Sequence, residues 1–175
     1  MSQRRVTDSV LLRTLRASDE RVVRAAHAAM ADHGFDFALG LDPGMTWPQY
    51  LSTRANRRSG TDLPLGIVPE TYLVATLGEQ IIGRAAIRHN LNPELARRGG
   101  HIGYAVLRQY RSRGYGTAIL RNSIPLAHEL GINRILVTCD DTNAASAHII
   151  ESCGGALDSI EAWNDGRLIR RYWIG

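Results

Sequence analysis

A chain of 175 residues, 44% hydrophobic and 22% charged, is long enough to bury a core in one domain, residues 1–175, without disulfide support. The formal charge of +4 is mildly basic, and all 21 Lys+Arg residues are arginine, which excludes a catalytic lysine or a Schiff base. Cys139 and Cys153 have neither zinc-ligand spacing nor the density of a disulfide scaffold, so neither a metal nor a disulfide is expected.

No apolar signal region opens the chain and no apolar run reaches the length of a membrane span, so the expected setting is a reduced cytoplasm, with no membrane partner. Taken in order, Val10 to Leu15 reads as a strand. Ser18 reads as the N-cap of a helix over 19–32, whose apolar positions Val22, Val23, Ala26 and Met30 recur at helical spacing before a stop at His33-Gly34. Phe35 to Thr46 is a Gly- and Pro-containing segment with two aromatics and two aspartates. Thr46-Trp47-Pro48 then starts a second helix, running to about Arg58. Residues 59–69 form a Gly/Pro-rich loop.

From Glu70 the texture turns to strands. Residues 71–77 and 80–89 flank a hairpin turn at Gly78-Glu79, and 90–100 is a polar connection. His101 to Val106 alternates as a fourth strand, and a helix follows from Gly114 to Leu130, ended by Gly131. Residues 134–140 have the near-continuous apolar character of a strand buried on both faces. A further helix starts at Asp141 or Thr142 and ends at Cys153. Residues 156–163 and 168–174 form a closing hairpin around Asn164-Asp165-Gly166. The order β-α-α-β-β-β-α-β-α-β-β predicts a mixed α/β domain.

The stretch from His101 to Leu120 carries the chemistry. A strand that passes through glycines into a helix N-terminus is an anion site: the first helical N–H groups lack partners, the dipole favours negative charge, and glycine permits close approach. Arg111 and Arg113 flank it with planar donors suited to phosphate oxygens. The turn Arg111-Ser112-Arg113-Gly114-Tyr115-Gly116, with a strand before it, a helix after it and Asn143 on the next helix, resembles the GNAT N-acetyltransferases. That superfamily has an Arg/Gln-x-x-Gly-x-Gly/Ala turn at this place in a mostly antiparallel twisted sheet flanked by helices.

The resemblance implies acetyl-CoA as co-substrate. Backbone N–H groups of Arg113, Gly114, Tyr115, Gly116 and Thr117 would hold the pyrophosphate with help from Arg111. The pantetheine arm would pair with strand backbone near Ala105 and Val106, in a cleft where the fourth and fifth strands splay. Asn143 would touch the arm from the other side with Ser146 nearby, although Asn143 also suits a plain N-cap. Val106 N–H is the expected oxyanion donor.

The resemblance further implies transfer of an acetyl group to a primary amine of a small molecule or peptide by direct attack, with no covalent enzyme intermediate. Both cysteines then read as packing residues. His101 is the candidate general base and His89 the second, each with the alternative of an ordinary strand-end histidine. Relatives frequently carry a tyrosine acid seven positions after Asn143; here the residue is Ile150, leaving Ser146 and Tyr104 as donors. Phe35, Phe37 and Trp47 could wall an acceptor pocket with Asp36 or Asp42 attracting an ammonium, or could cover the core. Trp163, Tyr172 and Trp173 suit core or homodimer contacts. A non-catalytic CoA-binding module is the alternative function. A nucleic-acid partner lacks any motif, and the late Gly-x-Gly with no lysine argues against a Rossmann or P-loop domain.

Overall fold

In the computed structural model, which describes residues 9–32 and 34–175, the strand alternations resolve into two antiparallel sheets. The first has the order β1 (Val10–Arg13), β2 (Glu70–Leu77), β3 (Gln80–Arg88), β4 (Ile102–Val106). The second has the order β5 (Ile135–Asp140), β7 (Leu168–Ile174), β6 (Ala156–Ala162). Gly78 at φ 58° and Gly166 at φ 82° close the two hairpins, in conformations that a residue with a Cβ resists.

Among the described residues, five α-helices connect the strands: α1 (Glu20–Ala31), α2 (Trp47–Ser59), α3 (Pro93–Arg97), α4 (Tyr115–Glu129) and α5 (Ala144–Ser152). Helix α3 adds a short helix within 90–100, read only as a polar connection: Asn92 caps it, its side chain accepting from Leu95 N–H at 2.8 Å. Two helix starts also move. Ser18 is not a cap, because residues 17–19 form a 3-10 turn in which Asp19 accepts from Arg16 N–H at 2.7 Å and pairs with Arg13. Helix α5 begins at Ala144, with Asn143 rather than Asp141 or Thr142 at its head. His33 lies outside the described residues; Gly34 stands at φ 69° just past α1.

Strand pairing decides which side chains share a face. Tyr72, Val74, Ala86 and Ala105 turn toward α1 and α2, where Phe37, Trp47 and Tyr50 are also buried. Leu73, Ile87 and Ile102 turn the other way, toward Leu120 of α4 and the second sheet. Fully buried Ile82, Ile87, Ile102 and Ile119 stabilise this two-sided packing by roughly 1.5–3 kcal/mol each. Phe37 and Trp47 therefore cover the core and do not wall a pocket. Among the described residues, no helix is long and apolar enough to cross a membrane.

Candidate active site

A reciprocal pair of hydrogen bonds joins the two sheets. His101 N–H donates to Leu136 O at 2.7 Å, and Leu136 N–H donates to His101 Nδ1 at 2.9 Å. The imidazole thus stands in for a strand carbonyl and pins the start of β4 to the start of β5. Gly100, at φ 62°, permits the approach: a Cβ there would lie 2.4 Å from Leu136 O. Beyond the pin no strand pairing joins β4 to β5. On its other edge β4 pairs with β3, with Arg88 N–H donating to His101 O and Leu107 N–H to Ile82 O. Backbone polarity alternates along a strand, so Gly103 and Ala105 are committed to β3 while Ile102, Tyr104 and Val106 face the opening.

That open edge runs into the glycine turn. Ser112 (φ 59°) and Gly114 (φ 78°) both adopt left-handed backbone, and α4 begins at Tyr115 with no side-chain cap. The N–H groups of Tyr115, Gly116 and Thr117 are the unpartnered donors of a 15-residue helix. Arg111, Arg113 and Gly114 are exposed around them, and Arg111 Nε donates to Val106 O at 3.2 Å. The Tyr115 ring is buried, edge-on to Tyr110, so only its backbone faces the turn. Gly116 lets α4 close on α5, since a Cβ there would lie 2.7 Å from Ile149 Cδ1.

Across the opening, Asn143 caps α5: its Oδ1 accepts from Ser146 N–H at 3.0 Å. The Ser146 hydroxyl lies 2.9 Å from the Tyr104 hydroxyl, a pair that spans from α5 to β4. Burial pushes the Tyr104 phenol up to about 12 although the Ser146 hydrogen bond opposes it, so the phenol keeps its proton at neutral pH. Ile150, at the position where a tyrosine was expected, is fully buried in the core beneath.

Both histidines are held as neutral rings. For His101, burial and then Arg88 lower the pKa; for His89, burial and then Arg58 do so. Because His101 Nδ1 accepts a backbone N–H, its proton resides on Nε2, and the lone pair a general base needs is occupied. His89 Nε2 lies 2.8 Å from Thr71 Oγ1, on the Leu73–Ile87 face, away from the Glu70–Arg88 pair on the other side. Burial raises the thiol pKa of Cys139 and of Cys153, which keeps both from being thiolates.

Residues 9–156 match the family described as acetyltransferase (GNAT) domain. The chain belongs to the GNAT acetyltransferase family. Over 107 residues it is 25% identical to N-alpha-acetyltransferase 30 of Xenopus laevis, covering 61% of this chain and 37% of that protein. It thus spans little more than a third of that relative's length. Its fold resembles Mycobacterium smegmatis RimJ in complex with CoA-disulfide, with a TM-score of 0.68 at 21% identity over 94% of this chain and 81% of the other. It also resembles YncA, a putative acetyltransferase from Salmonella typhimurium with acetyl-CoA, with a TM-score of 0.62 at 14% identity over 95% and 93%. GNAT enzymes use acetyl-CoA as co-substrate.

The opposite face of this GNAT sheet holds residues that the sequence did not single out. Arg54 of α2 and Glu70 of β2 form a buried pair at 3.1 Å, and Arg88 Nε lies 3.6 Å from the second Glu70 oxygen. Arg84 of β3, only 5% exposed, lies under Phe35, whose ring centre is 5.1 Å from the guanidinium carbon. The segment 34–46 lies over this group, and at its edge Arg24, His27, Leu41, Asp42 and Pro43 line a hollow of about 210 Å³. Asp36 sits 3.4 Å from His27 Nδ1. The available signal was the arginine interrupting the apolar run of β3.

Proposed function

We propose that this chain is an acetyl-CoA-dependent N-acetyltransferase that moves an acetyl group to a primary amine of a small molecule or peptide by direct attack, with residues 1–175 working as one domain. The observation that carries the reading is the continuity of the open β4 edge with the uncapped N-terminus of α4. A strand edge that can pair with an extended amide-bearing arm leads directly into donors for a pyrophosphate, which fits the two chemistries of coenzyme A.

Acetyl-CoA supplies an activated thioester on a phosphorylated handle. The N–H groups of Tyr115, Gly116 and Thr117 hold the pyrophosphate, with Arg111 and Arg113 adding charge from the exposed side of the turn. Tyr104 and Val106 present backbone groups to the arm, with Val106 N–H polarising the reacting carbonyl. Ala105, which was expected to share that pairing, gives its backbone to β3 and contributes its side chain to the core. Asn143 and Ser146 close the other side of the opening.

The amine lone pair forms the new C–N bond as the C–S bond breaks. Ser146 Oγ gives its proton to the departing sulfur as it takes one from the Tyr104 hydroxyl 2.9 Å away, and water returns a proton to the phenolate, so the pair fills the role of the absent tyrosine at 150. His101 acts as the pin between the sheets, and the amine's proton passes to water. Calorimetry with acetyl-CoA, paired with thiol release across an amine panel, tests the reading. Binding with turnover is expected. Binding without turnover on any amine would leave a CoA-binding module, and no binding would overturn both.

A further inference from the structure

We propose that the acceptor amine carries a carboxylate, received on the α1–α2 face of the sheet by Arg84 together with Arg54. The inference rests on the transferase reading and names the substrate class of that same site. Three guanidinium groups, Arg54, Arg84 and Arg88, share this buried face with a single carboxylate in ion-pair range, Glu70. Both Glu70 oxygens are engaged, one by Arg54 and one by Arg88.

Arg84 has only two long contacts to carbonyls, 3.4 Å to Gly103 O and 3.3 Å to Asp36 O, and among the described residues no carboxylate lies within 4.0 Å of it. Asp36 itself turns its carboxylate to His27 and to Gly40 N–H. Arg84 Nε, Arg54 Nε, Arg54 Nη2 and the Tyr50 hydroxyl are buried without a hydrogen-bond partner. A buried cation that feels Glu70 and Asp36 only from beyond ion-pair range, with several donors idle, is a costly arrangement, and an entering carboxylate relieves it.

The placement gives the chemistry its scale. Arg84 pairs across the ladder with Ala105, one strand spacing of about 4.8 Å from the strand whose outer edge faces the thioester arm. Both guanidiniums lie against β4 here, since a Cβ on Gly103 would sit in ordinary contact 3.5 Å from Arg84 Nη1 and 3.6 Å from Arg88 Nη1. An anion held here lies only a few bonds from an amine at the reacting carbonyl, which describes an amino-acid-like acceptor. The segment 34–46 covers the guanidinium through Phe35 and the Asp36 carbonyl, so the carboxylate takes the place of that carbonyl as Arg84's partner.

The test compares free amino acids with the corresponding amides as acceptors. The wild-type protein is expected to favour the acids in kcat/KM by roughly 10- to 100-fold, although the amides present a less basic amine. Arg84→Met should erase that preference with acetyl-CoA affinity unchanged, and Arg84→Lys, which keeps the charge but loses the fork, should retain part of it. Transfer at equal rates to acids and amides by the wild-type protein overturns the proposal and leaves the transferase intact; so does a preference that survives in Arg84→Met. Should no amine turn over, calorimetry of N-acetylated amino acids against their amides, with CoA present, decides the same question: a comparable preference supports the carboxylate site and equal affinity overturns it.

Discussion

The two sides of this sheet solve opposite problems with the same residue type. On the proposed cofactor side, Arg111 and Arg113 are exposed and the α4 N–H groups meet solvent, so a phosphate would exchange with water at little cost. On the proposed acceptor side, the Arg54 and Arg84 side chains are buried between the sheet, α2 and the segment 34–46, where a charge without a partner is expensive. An exposed arginine adds affinity modestly. A buried one discriminates, because a ligand lacking the matching group leaves it unpaired. As proposed, the cofactor edge serves retention of a common handle and the acceptor face serves choice.

The substitution with the largest expected effect strikes the joint that holds both sides in place. Gly100→Ala puts a Cβ 2.4 Å from Leu136 O in a left-handed conformation, so β4 must move off β5. We expect a loss of more than about 4 kcal/mol in urea unfolding; a change within experimental error would mean that the pin is dispensable. Next, Ser146→Ala removes the proposed acid and should lower kcat about 100-fold while leaving acetyl-CoA affinity intact. Tyr104→Phe should have the same sign and a smaller size, since water can resupply the serine. Unchanged kcat in both variants would remove the hydroxyl pair from the chemistry.

These two sites also show how far the sequence could be read. Alternation and the Asn-Asp-Gly turn disclosed the strands, and Gly114 with Gly116 disclosed the helix N-terminus, because those signals are local. The role of His101 was not legible, because it depends on a backbone N–H 35 residues away that fixes the tautomer. Arg84 was hidden for a related reason: β3 is buried on both faces, so alternation could not say whether its arginine faced water or the core. Helix α3, at five residues, is too short to leave a periodic trace. The opening between β4 and β5 came from the family likeness alone, since unpaired and paired strand edges share one composition.

His101 gives the next step down in size. Its loss in His101→Ala orphans the buried Leu136 N–H and should cost about 1–3 kcal/mol, whereas Asn offers a substitute carbonyl and should cost less. Its pKa is lowered on folding, so the unfolded chain takes up the proton first, near pH 6.5. Stability is thus full above that pH and falls as the pH drops toward the lower native value. In His101→Asn this part of the acid sensitivity should vanish, leaving the share from His89, which shifts in the same direction. An acidic limb in the rate profile that disappears with His101→Asn would restore the histidine as the base.

The smallest effect is expected on the open side, and its smallness is the point. Arg111 is exposed, and its Nε already donates to Val106 O, so in the unbound protein its side chain is held against the strand edge that the arm must approach. Arg111→Ala removes a phosphate partner and also frees that carbonyl. The two consequences oppose each other, so acetyl-CoA affinity should weaken by no more than about tenfold, with the loss shrinking as salt rises. Gly114→Val, which forces a β-branched residue to φ 78° at the head of α4, should weaken binding more and show little salt dependence. Equal losses with equal salt slopes would mean that the turn holds its ligand by charge alone. The unpartnered N–H groups would then not be the feature that makes this edge a coenzyme A site.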